Sequence, residues 1–220
     1  MASRVKIVSV NVGLPREVEW RGRMVQTSIF KSPVPGRVKV TSLNIVGDRQ
    51  ADLSVHGGGD KAVYVYPAGH YAFWRAELPA AELPWGAFGE NLTVEGSLEE
   101  GGVRIGDRFR AGSAEFIVTQ PRMPCFKLGV RFNRPDVVKR FLHSRRTGFY
   151  LAVTREGELG SGDSFDLVAE GQGGMTVADI VELYAADAAN QDLLRRATQL
   201  SALPESWREY FRERLWEPDA

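Results

Sequence analysis

Cysteine is nearly missing from this chain of 220 residues: Cys125 is the only one, accompanied by just three histidines. One thiol cannot close an internal disulfide, so the composition fits a reducing compartment, and a cytoplasmic location is expected. One cysteine and three scattered histidines also lack the paired spacing of a zinc site. No apolar run approaches the roughly 20 residues of a membrane-spanning helix. The opening "MASRVKIVSVNVG" has neither a sustained apolar core nor a small-residue cleavage site, which argues against a secretory signal. Net charge is absent too, with 28 basic against 28 acidic side chains. A nucleic-acid binder would carry an excess of cations to neutralise phosphates, so no nucleic-acid polymer is expected as partner, and no membrane. There is no G-x-S-x-G elbow, and the glycines of "HGGGDK" have neither Walker nor dinucleotide-fold spacing.

What is present is unevenly placed. Between Gln120 and Arg146 stand eight lysines and arginines against one acid, Asp136. In a neutral protein such a segment suits a small anion better than a long polyanion, or else forms a solvated helix face. Hydrophobic residues at 43% and charged residues at 25% describe an ordinary globular chain.

Short alternating segments punctuated by Gly, Pro and Asp fill the first two-thirds: "VKIVSVNVG", "GRVKVTSLNIVGD", "AVYVYP", "ENLTVEG", "GDRFRAGSAEFIVTQP", "GFYLAVTREG" and "SFDLVAEG". This spacing predicts an antiparallel or mixed β-barrel, mostly β within an α+β class, rather than regular βαβ repeats. Helical insertions are predicted over "GHYAFWRAEL", where Tyr71, Trp74 and Leu78 share a face, and over "RPDVVKRFLHSRR" around Val137 and Phe141. After "EGQGGM" the period changes. Thr176 and Asp179 form a capping-box pattern, and three short helices follow, the last near "LPESW" with Trp207, Tyr210 and Phe211 on one side. The expected division is residues 1–172 for the barrel and 173–220 for a three-helix bundle. That bundle is too small to stand alone, so it should pack on the barrel or on a second subunit, and a homodimer is expected.

Four stretches could carry chemistry. In "QPRMPCFKL", two prolines end the preceding strand and put Cys125 on a turn near Arg122 and Lys127, cations that favour a thiolate; the alternative is a small buried hydrophobe. In "GDRQADLSVHGGGDKAVYVYP", His56, Asp60 and Lys61 crowd a triple-glycine turn that either approaches a ligand or simply reverses the chain. "WGAFGENLTVEG" puts Glu90 and Asn91 at the start of a strand, as a plain hairpin connection also would. In "TSIFKSPV", Lys31 and Ser32 precede an extended segment, where an edge lysine can serve against aggregation.

Together "GDRQADLSVHGGGDKAVYVYP", "GAFGENLTVEG", "IGDRF" and "QPRMPCFKL" resemble the MOSC domain family, the molybdenum-cofactor sulfurase C-terminal group, and its YiiM-like bacterial branch. The resemblance spans about Val5 to Val168, and the helices after Met175 resemble that branch's three-helix domain. It implies a MOSC-type β-barrel that binds molybdenum cofactor (Mo-molybdopterin), with Cys125 as the molybdenum ligand. The implied activity is reduction of small N-hydroxylated compounds, such as hydroxylaminopurines, to amines, with electrons from a separate flavin or haem protein. Lys31, Ser32, Gln120, Arg122 and the turn of His56, Gly57, Gly58 and Lys61 are the expected cofactor contacts, with Glu90 and Asn91 beside the metal. Asp60, His56 or Glu90 would deliver protons. Two other activities share these residues: carriage of the cofactor, and sulphur transfer through a Cys125 persulfide.

Overall fold

β1 (Lys6–Val12, "KIVSVNV") buries Ile7, Ser9 and Asn11 at every second position, with Val10 buried on the opposite face as well, and similar strands build most of the molecule. The computed structural model describes residues 5–51, 58–186 and 190–215. The remaining strands are β2 (Arg16–Trp20), β3 (Arg23–Thr27), β4 (Ser32–Pro33), β5 (Arg37–Val40), β6 (Val63–Pro67), β7 (Leu92–Glu95), β8 (Arg108–Ala111), β9 (Ala114–Pro121), β10 (Phe149–Arg155), β11 (Gly157–Gly160) and β12 (Phe165–Ala169). Eight of them form one mixed sheet in the order β12-β8-β9-β10-β6-β7-β1-β4, in which only β6 and β7 run parallel. The predicted barrel is therefore an open sheet by strand pairing, but it curls strongly. Residues 162–165 at the head of β12 return to β1 through Ile7 N to Asp163 O (3.0 Å), Gly162 N to Ile7 O (2.8 Å) and one bridge, Lys6 to Ser164.

Alternation alone does not single out the β2–β3 hairpin. It closes through Arg21 (φ 53°) and Gly22 (φ 75°), two consecutive left-handed residues that suit a two-residue hairpin turn. "GRVKVTSLNIVGD" is a strand only as far as Val40; the rest is turn.

Six helices are described: α1 (His70–Glu77), α2 (Phe126–Phe132), α3 (Val137–Ser144), α4 (Val177–Ala185), α5 (Gln191–Thr198) and α6 (Glu205–Arg212). None is long and apolar enough to cross a membrane. On α1, Tyr71 and Trp74 are fully buried with Leu78 behind them, as their spacing predicts. Thr176 and Asp179 make the reciprocal capping box of α4. The apolar faces of α4, α5 and α6 join the sheet's own core, where Val177, Ile180, Leu194, Leu203 and Phe211 continue the cluster of Ile7, Val65 and Phe116. A second, aromatic cluster of Tyr64, Tyr66, Tyr71, Trp74, Phe88 and Phe141 lies under α1, α2 and α3.

A buried hydrogen-bonded pair ties these layers together. Glu100 accepts from His70 Nε2 at 2.9 Å and from the backbone N–H of Gly148 at 2.6 Å, which pins the turn before β10 to the start of α1. Burial alone would raise the Glu100 carboxyl, but the bonds from His70 and Gly148 win and hold it below its usual 4.5. A depressed folded-state value means the stabilisation is present above the unfolded value and is lost as pH falls through the folded one. Glu100→Gln should cost about 2 kcal/mol at pH 7, and the gap from wild type should shrink below pH 4.5 in urea unfolding. A gap that does not change with pH would remove the charge from this account.

Candidate functional site

The sheet sets up the site with one cross-strand row. Gln120 faces Tyr150, Tyr150 faces Tyr64, and the Tyr64 carbonyl takes the N–H of Asn91 (2.8 Å), so adjacent strands present these four residues side by side. Tyr64, Tyr150 and Asn91 open into a cleft whose wall also includes Lys31, Asp48, Lys61, Arg122, Cys125 and Lys127. Phe88, Gly89 and Ile29 close its apolar side.

Asp48 organises the floor. One of its oxygens accepts from Gly13 N–H at 2.8 Å; the other takes Lys31 Nζ and, at 2.9 Å, Asn91 Nδ2. Asn91 Oδ1 in turn receives the Tyr64 N–H at 3.0 Å, and its Nδ2 also reaches the Asn11 carbonyl at 3.3 Å. Lys31 is thus committed to a carboxylate inside the protein. Burial pushes its ammonium below the usual range, with Asp48 opposing the shift.

Arg122 follows β9 directly. Its backbone N–H bonds the Gly148 carbonyl at 3.3 Å, and its guanidinium lies 5.8 Å from the Tyr64 ring centre and 5.4 Å from that of Phe141. Burial would lower its pKa, yet the proximity of Cys125, then of Tyr64 and Tyr150, raises it above the ordinary value. Cys125 sits at the N-cap of α2, a helix that begins at the next residue. The predicted turn therefore opens directly into a helix. Arg122 Nη1 and Ser28 Oγ are buried in this wall without a hydrogen-bond partner among the described residues. Buried polar groups are almost always paired, so both point to a ligand with acceptor atoms. A half-buried thiol beside an incompletely paired guanidinium, with Lys61 and Lys127 in the same wall, fits an anionic cofactor held through one protein sulphur.

The other expected contacts are placed differently. Ser32 is exposed on the short edge strand β4 and does not line the cleft. Glu90 is fully buried behind it and accepts from Tyr71 Oη, Gly86 N–H (3.0 Å), Phe88 N–H (3.1 Å) and Thr93 Oγ1 (2.9 Å). It shapes the turn that presents Phe88 and Gly89, a residue with φ +83° whose added Cβ would meet Ile29 Cγ1 at 3.0 Å. Gln120 is buried, and its side-chain oxygen accepts from the indole N–H of Trp207. Asp60 lies exposed in the 3-10 turn Gly59–Lys61, contributing a carbonyl to Thr119 Oγ1 at 2.7 Å, and Gly58 (φ 99°) precedes that turn. His56 and Gly57 lie outside the described residues. Asp48, Tyr64, Tyr150 and Ser28 were not legible as site residues. Asp48 stands in the quoted "GDRQ", but nothing local marks its three donors.

A family model described as the MOSC domain matches residues 52–166, and one described as the YiiM-like 3-alpha helix domain matches residues 175–216. The uncharacterized protein YflK of Bacillus subtilis is 42% identical over 208 residues, 94% of this chain and 93% of its own. A Gibberella moniliformis protein named "Reductase" is 34% identical over 182 residues; they make up 81% of this chain but only 32% of that longer protein. The crystal structure of YiiM from Geobacillus stearothermophilus superposes with a TM-score of 0.81 at 35% identity, covering 96% of this chain and all of that one.

Asp48→Asn should strand the Lys31 ammonium and destabilise the protein by about 3–5 kcal/mol, the usual cost of breaking a buried pair. The double variant Asp48→Asn/Lys31→Met should recover most of that loss in denaturant unfolding. A double variant as unstable as the single one would mean that Asp48 is not there to balance Lys31.

Proposed function

The chain belongs to the MOSC domain family, in the group carrying a YiiM-like three-helix segment, and from that premise we propose that it is a molybdenum-cofactor-binding reductase of N-hydroxylated compounds. The observation that carries the reading is Cys125 on an open cleft next to the buried, incompletely paired guanidinium of Arg122. When bound, the cofactor would supply the two-electron chemistry that turns an N-hydroxyl compound into an amine and water.

The chain's own residues divide the remaining work. Cys125 would hold the metal as a thiolate, the form that binds soft metals. Arg122, Lys61 and Lys127 would balance the anionic end of the cofactor, with Arg122 giving the unpaired Nη1 as donor. Asn91 is held in one orientation by Asp48 and the Tyr64 N–H, so its amide is preorganised at the cleft wall. Ile29, Phe88 and the two tyrosine rings limit water on the apolar side. Protons have a more direct source in the Lys31–Asp48 pair on the cleft wall than in Glu90, whose oxygens are taken by the turn behind it. Electrons would come from a separate flavin or haem protein. The match to part of a longer protein named as a reductase supports redox use of this module over simple carriage.

The test is molybdenum and pterin analysis of wild type and Cys125→Ser made in a cofactor-competent host, with reduction of an N-hydroxylated purine under a chemical reductant. Near-stoichiometric molybdenum in the wild type and at least a hundredfold loss of turnover in the variant, a size seen when a metal's protein support is removed, is the expected result. Stable cofactor without turnover would make the protein a carrier. No molybdenum and no pterin would end the reductase reading and turn attention to a persulfide on Cys125.

A further inference from the structure

The C-terminal helices reach the row of residues that builds the cleft. Trp207 of α6 donates its indole N–H to Gln120 Oε1 at 2.5 Å, and Gln120 is fully buried at the end of β9, five residues before Cys125. Gln120 Nε2 is buried with no partner, so the indole is the one protein hydrogen bond found for that amide among the described residues. Trp207 is itself fixed, 5.7 Å from the Tyr184 ring centre and 5.6 Å from that of Phe211, which is buried in the shared core.

The same helices touch the facing turn. Arg145, which ends α3 in a left-handed conformation (φ 58°), meets Glu182 of α4 through Nε at 2.6 Å and Nη2 at 3.2 Å. The residues after it take Tyr66 Oη on the Arg146 carbonyl (3.1 Å), Tyr64 Oη on the Thr147 carbonyl (2.7 Å), and the Arg122 N–H on the Gly148 carbonyl. The strand end that carries Arg122 therefore meets the helical segment in two ways, directly through Gln120 and indirectly through the turn from Arg145 to Gly148. The Arg145–Glu182 pair is largely solvent-exposed and contributes little, whereas the indole bond is partly buried and unshared.

We propose that Trp207 is a positioning residue for the cysteine loop: by holding Gln120, the three-helix segment fixes the end of β9 from which Arg122 and Cys125 project. Trp207→Phe keeps a ring between Tyr184 and Phe211 and removes the donor together with part of the indole's bulk, whereas Gln120→Met removes the acceptor and leaves the indole in place. The proposal concerns the thiol rather than any cofactor, so its failure and that of the reductase reading are separable.

The experiment is the rate of Cys125 labelling by a disulfide reagent on the folded full chain across pH 6 to 9, with melting temperature measured alongside. Trp207→Phe should speed labelling about fivefold or more and alter the pH profile, as the loop opens more often. Glu182→Gln, which cuts only the exposed pair, should stay within about twofold of wild type. If Trp207→Phe loses its circular-dichroism signal, Gln120→Met, which removes both amide atoms, carries the test with the same expected acceleration. Labelling that is unchanged or slower in the folded variant overturns the proposal, and so does equal acceleration by Glu182→Gln, which would mark general loosening.

Discussion

A carboxylate removed from water has to be matched donor by donor, and Asp48 meets that requirement by drawing three distant stretches of chain onto itself. Gly13 follows β1, Lys31 precedes β4, and Asn91 precedes β7. Asn91 also bonds β1 at Asn11 and β6 at Tyr64. One charge therefore sets the relative position of four chain segments, and the cleft is the space left among them. An apolar residue in its place could fill volume but could not orient the Asn91 amide or hold a lysine beneath the surface.

The sheet's topology explains why these groups converge. β6 and β7 run parallel, so both begin at the same edge of the sheet, and Tyr64 and Asn91 lie at those beginnings. β9 runs antiparallel to β10 and ends near the same level, which brings Arg122 and then Cys125 to the row already occupied by Tyr150 and Tyr64. The parallel pair needs a long crossover, and here it holds α1 and the Gly86–Gly89 turn. Glu90 ends that crossover. Burial raises its carboxyl above the usual range even though hydroxyl and amide donors converge on it, which fits a group kept for framing a turn.

How much of this is legible in the chain depends on the reach of the interaction. Period-two burial announces β1, β9 and β10, and the Tyr71, Trp74 and Leu78 spacing announces α1, because each is local. The Thr176–Asp179 cap lies within one helical turn and is equally readable. Cys125 and its cations show up through proline and charge in nine residues. The partners of those groups do not. Gln120 meets Trp207 from 87 residues away, Tyr64 meets Thr147 from 83, and Asn91 meets Asp48 from 43. Lys31 illustrates the cost of this blindness: as sequence it is a cation available to a ligand, whereas in the fold much of its charge is met by Asp48.

That redistribution of charge reconciles a neutral protein with the proposed site for an anion. Lys31, Lys61, Arg122 and Lys127 line the cleft, with Asp48 as the one carboxylate among the described residues there. The Lys31–Asp48 pair cancels, and the wall also carries Arg122 and Lys127. Further along the basic segment, Arg134 and Arg140 turn to Asp136 and Glu77, and Arg145 to Glu182, so those cations are spent on the protein's own acids. The cations of the cleft stand among low-dielectric aromatic walls, which strengthen their field. A small anion gains from that setting. With 28 basic and 28 acidic side chains in the whole chain, a local cluster of cations is offset by acids elsewhere, so the bland net charge hides an uneven distribution.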